Sequence, residues 1–134
     1  MNVTIVAPRG YWPDLSVMDA ARAIAATTGA VLKATSDTVS GVVGADCIYT
    51  DVWASMGQEE EAAQRLRDFD GFQVDTAMMS RANADAVFMH CLPAHRGEEV
   101  SAAVCDGLQS IIFDEAENRL HAQKVVLVDL MQKR

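Results

Sequence analysis

Short apolar runs alternate with amphipathic segments along the whole chain, the signature of strands joined by crossover helices into a parallel sheet. Five runs read as strands: Val3 to Ala7, Val31 to Ala34, Cys47 to Thr50, Ala86 to His90 and Ser110 to Phe113. Each is nearly all apolar, as strands are when helices cover both faces of a sheet. The predicted fold class is therefore α/β: a doubly wound, mainly parallel five-stranded sheet with helices on both faces, Rossmann-like.

Pro13 and Asp14 open a predicted helix through Ala26, in which Leu15, Met18, Ala21, Ile24 and Ala25 recur at helical spacing before Gly29 ends it. Ser36 or Asp37 is placed to cap a short helix through Val43. The segment Gln58 to Phe69 begins with three glutamates and carries its arginines later, the order a helix dipole favours, so its acidic start reads as a solvated terminus. Glu115 to Met131 is long and apolar towards its end, which predicts a C-terminal helix packed on the sheet or on a neighbouring domain. No repeat and no Gly/Ser- or Pro-rich linker divides the chain, so one domain is expected.

Composition narrows the function. The chain has 134 residues, half of them hydrophobic and 22% charged, a globular balance long enough to bury one core. A net charge of −8 offers no field for nucleic acid or an anionic membrane. No apolar stretch approaches the roughly 20 residues of a membrane span, and no basic-then-apolar leader is present. Cys47, Cys91 and Cys105 form no C-x-x-C pair and leave one thiol unpaired, which fits a reducing cytoplasm.

In parallel sheets ligands bind beyond the carboxyl ends of strands, where loops converge and helix N-termini point at the ligand. Three motifs fall at such ends. Asp51-Val-Trp-Ala-Ser-Met-Gly57 follows the third strand; its carboxylate, its hydroxyl and its free backbone N–H groups suit a ligand bearing both ammonium and carboxylate, or else Asp51 and Ser55 cap the next helix. His90-Cys-Leu-Pro-Ala-His-Arg96 follows the fourth. Near His90 and Arg96, the Cys91 thiol is placed to have a lowered pKa, with Pro93 setting a turn that presents the Leu92 carbonyl; the alternative is a buried structural cysteine. Asp114-Glu-Ala-Glu-Asn-Arg-Leu-His121 opens the last helix, where Arg119 offers a planar fork of donors or pairs with Glu115 one turn earlier. His95 and His121 are lone histidines without zinc-like spacing and are read as structural, and Cys47, in a buried strand, and Cys105 as inert.

In this order and spacing, D-x-x-x-S-M-G, HCLPAHRG and DEAENRLHAQK together resemble the C-terminal domain of ornithine carbamoyltransferases over essentially the whole chain. The resemblance implies transfer of the carbamoyl group of carbamoyl phosphate to the side-chain amine of L-ornithine, giving citrulline and phosphate in arginine metabolism. It implies that Asp51 binds the α-amino group of ornithine, that Ser55 and Met56 hold its amino-acid head, that Cys91 lies beside the reacting amine, and that the Leu92 carbonyl and Arg119 contact the carbamoyl moiety. The reaction it implies is amine addition, a tetrahedral intermediate and loss of phosphate, with no cofactor, no metal and no covalent enzyme intermediate.

The chain departs from the family pattern in lacking an S-T-R-T-R-like phosphate loop and an H-P-x-Q motif, which belong to the family's N-terminal carbamoyl phosphate domain. It is therefore expected to be a fragment, inactive without that partner domain. Family members are usually homotrimers, an assembly that relies heavily on the missing domain and is not inferred for this chain. Two rival readings are a carbamoyltransferase for a related amine, which would be expected to alter the SMG loop, and a stand-alone amino-acid-binding or regulatory module.

Overall fold

The computed structural model describes residues 1–55, 57 and 59–132. Strand β1 (Val3–Val6) pairs in parallel with β2 (Leu32–Thr35), Val3 opposite Leu32 and Val6 opposite Thr35. The crossover between them is helix α1 (Leu15–Thr28), which ends at Gly29 with φ 73°, a left-handed stop that glycine adopts without a Cβ clash. Asp14 occupies its N-cap, as the sequence suggests, without a side-chain capping bond. After β2, Asp37 accepts hydrogen bonds from the Val39 and Ser40 amides at 2.9 and 3.2 Å, so it and not Ser36 organises the short turn Ser40–Val42. Gly41 in that turn lies against β1 and β2: a Cβ there would meet Val6 Cγ2 at 2.6 Å.

Strand β3 (Cys47–Thr50) pairs in parallel with β4 (Val87–His90), Thr50 opposite His90, so both carboxyl ends finish level. Between them lie a short turn at Glu59–Glu61, helix α2 (Ala62–Asp68) and helix α3 (Thr76–Met79), the last capped by Asp75, which accepts from Met78 N–H at 2.7 Å. Helix α4 (Ala102–Cys105) then leads to α5 (Ile112–Gln132).

The α/β class and parallel pairing hold, but the five-stranded count does not. The predicted fifth strand is reduced to one bridge, Ser110 beside Phe88, and Ile112 and Phe113 already belong to α5. Asp114 and Glu115 explain the switch, because carboxylates in the first helical turn complement the dipole, and so short a run, with three apolar residues, suits either structure.

Burial is also uneven. The core gathers Val42, Ile48, Val74, Met78, Met79, Phe88, Val100, Val104, Cys105 and Ile112 around β3 and β4. By contrast, Val3 of β1 and Leu15, Val17 and Ile24 of α1 are exposed, against the expectation that every strand is covered on both faces. Only Ile112 of α5 is buried; from Phe113 onward its large apolar residues are exposed. No described helix is long and apolar enough to cross a membrane.

Candidate functional site

The level ends of β3 and β4 bring the first two motifs together. Side-chain ligand atoms of Asp51, His90 and Cys91 lie within 4.8 Å of one another. Beside them opens a cleft of about 400 Å³, lined among others by Tyr11, Tyr49, Asp51, Trp53, Arg65 and Phe69. One carboxylate at the rim of an aromatic cleft suits a small ligand with a cationic head and an apolar stem. A second hollow of about 280 Å³, between α3 and α4, has no ionisable side chain in its lining.

Asp51 does not cap the following helix. That helix begins eleven residues later, at Ala62, and Asp51 Oδ1 instead accepts from the adjacent Val52 amide at 2.7 Å. Ser55 is exposed on the same loop, and Met56 lies outside the described residues. The loop is fastened from behind by a residue the sequence reading passed over. Arg65 donates from Nη1 to the Trp53 carbonyl at 3.0 Å, pairs with Glu61 at 3.0 Å, and lays its guanidinium over the Tyr11 ring, 5.3 Å from the centroid. Trp53 stacks on Phe69, centroids 5.5 Å apart, and Phe69 meets Tyr11 at 4.7 Å.

The turn after β4 is built from inside. His90 is fully buried; its Nδ1 accepts from Leu92 N–H at 2.9 Å, which leaves the ring proton on Nε2, facing Glu99 Oε1 at 3.1 Å. Glu99, also fully buried, accepts a second bond at the same oxygen from His95 N–H at 2.6 Å. The His90 amide donates to Glu115 Oε2 at 3.1 Å, tying the turn to α5. Between these anchors Leu92 takes φ 57° and the Leu92–Pro93 peptide is cis.

The thiol departs from expectation. Burial pushes the Cys91 pKa up, a hydrogen bond with Asp51 adds to the rise, and a hydrogen bond from Tyr49 only partly opposes it. Arg96 does not lower it, because that guanidinium is turned to Asp106, 2.6 Å away. Cys91 is thus a neutral, hydrogen-bonding thiol near pH 7, and the predicted thiolate character is withdrawn. Cys105 is buried as expected, whereas Cys47 is exposed rather than sunk in a covered strand.

Arg119 forms no ion pair or hydrogen bond among the described residues, so the alternative pairing with Glu115 is set aside; Glu115 serves His90 instead. The structure does not bring Arg119 into contact with Asp51 or Cys91; it places it one helical turn beyond Glu115, exposed. His121 stands near Glu117 at 3.4 Å on the exposed helix. His95, expected to stand alone, has Glu98 and Glu99 in reach. Glu99, Arg65 and Tyr49 were not singled out in sequence, and Glu115 only as a partner for Arg119; a Glu98-Glu99 pair reads as surface charge, and only the fold reveals that one of the two is buried.

The chain is similar to known proteins over nearly its whole length. The profile of the aspartate/ornithine carbamoyltransferase Asp/Orn binding domain matches residues 1–130. The chain is 54% identical over 131 residues to an ornithine carbamoyltransferase of Oceanobacillus iheyensis, covering 98% of this chain and 41% of the relative. It is 55% identical over 133 residues to one of Wolinella succinogenes, covering 99% of this chain and 43% of the relative. Among solved structures, ornithine carbamoyltransferase from Pyrococcus furiosus superposes with TM-score 0.87 at 52% identity, over 94% of this chain and 40% of that one. The chain thus spans about two fifths of the length of the curated relatives it matches.

Proposed function

Because the chain belongs to the aspartate/ornithine carbamoyltransferase family, matching its Asp/Orn binding domain, we propose that it is the ornithine-binding half of an ornithine carbamoyltransferase. The observation that carries the reading is the meeting of Asp51 and Cys91 at the level ends of β3 and β4, beside an aromatic cleft. The whole enzyme transfers the carbamoyl group of carbamoyl phosphate to the δ-amine of L-ornithine, giving L-citrulline and phosphate in arginine metabolism.

Each residue has a role on this reading. Asp51 neutralises the α-ammonium, while Ser55 and Met56 hold the α-carboxylate from the same loop. The neutral Cys91 thiol lies beside the reacting amine and hydrogen-bonds it without competing as a nucleophile. The Leu92 carbonyl and Arg119 take the carbamoyl group, Arg119 once the ligand and the partner domain close the site. Catalysis then rests on holding amine and carbonyl in attack geometry and on donors for the tetrahedral oxyanion, effects that need no covalent intermediate. The chain alone makes no citrulline, because the phosphate-binding motifs of the family lie outside its sequence.

The test uses a whole enzyme, made by joining this chain to a carbamoyl phosphate domain. Asp51→Asn should raise the ornithine KM about 30-fold or more, as breaking one partner of a desolvated charge pair does, while the carbamoyl phosphate KM moves little. Putrescine, lacking the carboxylate, should be a poor substrate. An unchanged ornithine dependence would reduce Asp51 to a local backbone acceptor for Val52.

A further inference from the structure

Behind the turn that carries Cys91, a second group of side chains has no part in the proposed reaction. Glu99 is fully buried, and its two oxygens are treated unequally. Oε1 accepts from both His90 Nε2 and His95 N–H, at 3.1 and 2.6 Å. Oε2 is buried with no hydrogen-bond partner among the described residues. A carboxylate oxygen sealed from water needs a donor or a cation, since leaving such an acceptor unmet is unfavourable. Oε2 points at His95 Nδ1, 4.0 Å away, and on the solvent side Glu98 Oε2 stands 3.7 Å from the same nitrogen. One ligand atom from each of His95, Glu98 and Glu99 lies within 4.8 Å of the other two.

We propose that His95, Glu98 and Glu99 form a binding site for a borderline divalent transition metal of the Zn²⁺ or Co²⁺ kind. One imidazole nitrogen with two carboxylate oxygens suits these ions, whereas Mg²⁺ and Ca²⁺ prefer oxygen alone. Metal–ligand distances of roughly 2.0–2.2 Å place tetrahedral neighbours about 3.4 Å apart, so the two spacings to His95 Nδ1, 3.7 and 4.0 Å, must close by roughly half an ångström. His95 and Glu98 side chains are 50% and 46% exposed, which gives the ion a route in and leaves its remaining positions to water. The second shell is already built: Oε1 of Glu99 is fixed by two donors, and His90 is fixed in turn by Leu92 N–H. A bound ion would therefore brace the turn from 91 to 96. This site is separate from the Asp51, His90 and Cys91 cluster, in which His90 Nδ1 is already used by the Leu92 amide.

The test is a Zn²⁺ titration of the chain by calorimetry at pH 7.5, with Co²⁺ followed by visible absorption and by its paramagnetic shift of the His95 ring protons. One saturable equivalent is expected, weakened about tenfold or more in both His95→Ala and Glu98→Gln and retained in Cys91→Ser and Cys47→Ser. Both ligand variants change half-exposed residues, and circular dichroism verifies that they fold. The proposal is overturned if no saturable binding occurs below millimolar metal, if binding survives His95→Ala, or if it disappears in Cys91→Ser. The readout is independent of whether the assembled protein uses ornithine.

Discussion

The loop after β3 and the turn after β4 meet at the level ends of their strands, yet they are held in opposite ways. The turn is fixed from below by two fully buried ionisable side chains, His90 and Glu99, whose hydrogen bonds settle the Leu92 amide and the His95 amide. The loop is held from the side: Asp51 and Ser55 are exposed, Asp51 bonds its neighbour's amide and the Cys91 thiol, and Arg65 reaches in to the Trp53 carbonyl. Buried polar groups stabilise a fold strongly when satisfied and destabilise it when one partner is lost, whereas exposed ones can be exchanged at little cost. The turn is therefore part of the fold, and the loop is a surface on which a ligand's charge is read.

The sharpest way to break that contrast is to compare one acid from each region. Glu99→Ala strips two donors of a buried carboxylate and should lower unfolding stability by about 3 kcal/mol, read as a fall in the urea midpoint at unchanged m-value. Asp51→Ala should change stability by less than about 0.5 kcal/mol, as exposed substitutions do. Equal losses would mean that the two regions are held alike.

Arg65 tests whether the loop has a fixed support at all. Arg65→Ala removes the bond to the Trp53 carbonyl, the Glu61 pair and the contact with the Tyr11 face. The expected loss is about 1 kcal/mol, with a shift in tryptophan emission as Trp53 loosens from Phe69. Unaltered emission would place the support of Trp53 in its stacking alone.

The smallest effect is expected at the point where the regions touch. Burial first, and the Asp51 hydrogen bond second, raise the Cys91 pKa above the ordinary 9.0. The folded state thus keeps a proton that the unfolded chain gives up, so this contribution to stability is intact below about pH 9 and declines as pH rises from there towards the raised value. Alkylation of Cys91, followed by mass spectrometry, should begin at higher pH than for a free thiol, and Asp51→Asn should shift its profile back downward. A Cys91 that alkylates as an ordinary thiol does would remove the burial argument.

Local pattern was enough to place much of this molecule. The apolar runs of β1 to β4, the stop at Gly29, the cap at Asp37 and the motifs at the ends of β3 and β4 all depend on residues near one another in sequence, where periodicity and capping act. The run Ser110 to Phe113 failed because three apolar residues fit a strand or a helix equally, and the acidic pair that follows decided for α5. Cys47 and β1 were misjudged for burial because a sequence does not reveal which faces its neighbours cover.

What only the tertiary structure decided is which charges meet and which leave water. Glu99 is one of two adjacent glutamates, and it is buried only in the folded chain, where its carbonyl accepts from Val74 N–H and the next residue, Val100, bridges to Val74. Arg96 is near Cys91 in sequence but faces Asp106 in space, and burial first and Asp51, forty residues away, second raise the thiol's proton affinity. Secondary structure follows from short-range backbone preference, which the amino-acid order carries directly. The electrostatics of the site follow from desolvation and from distances across the fold, and these come into existence only when the strands have paired.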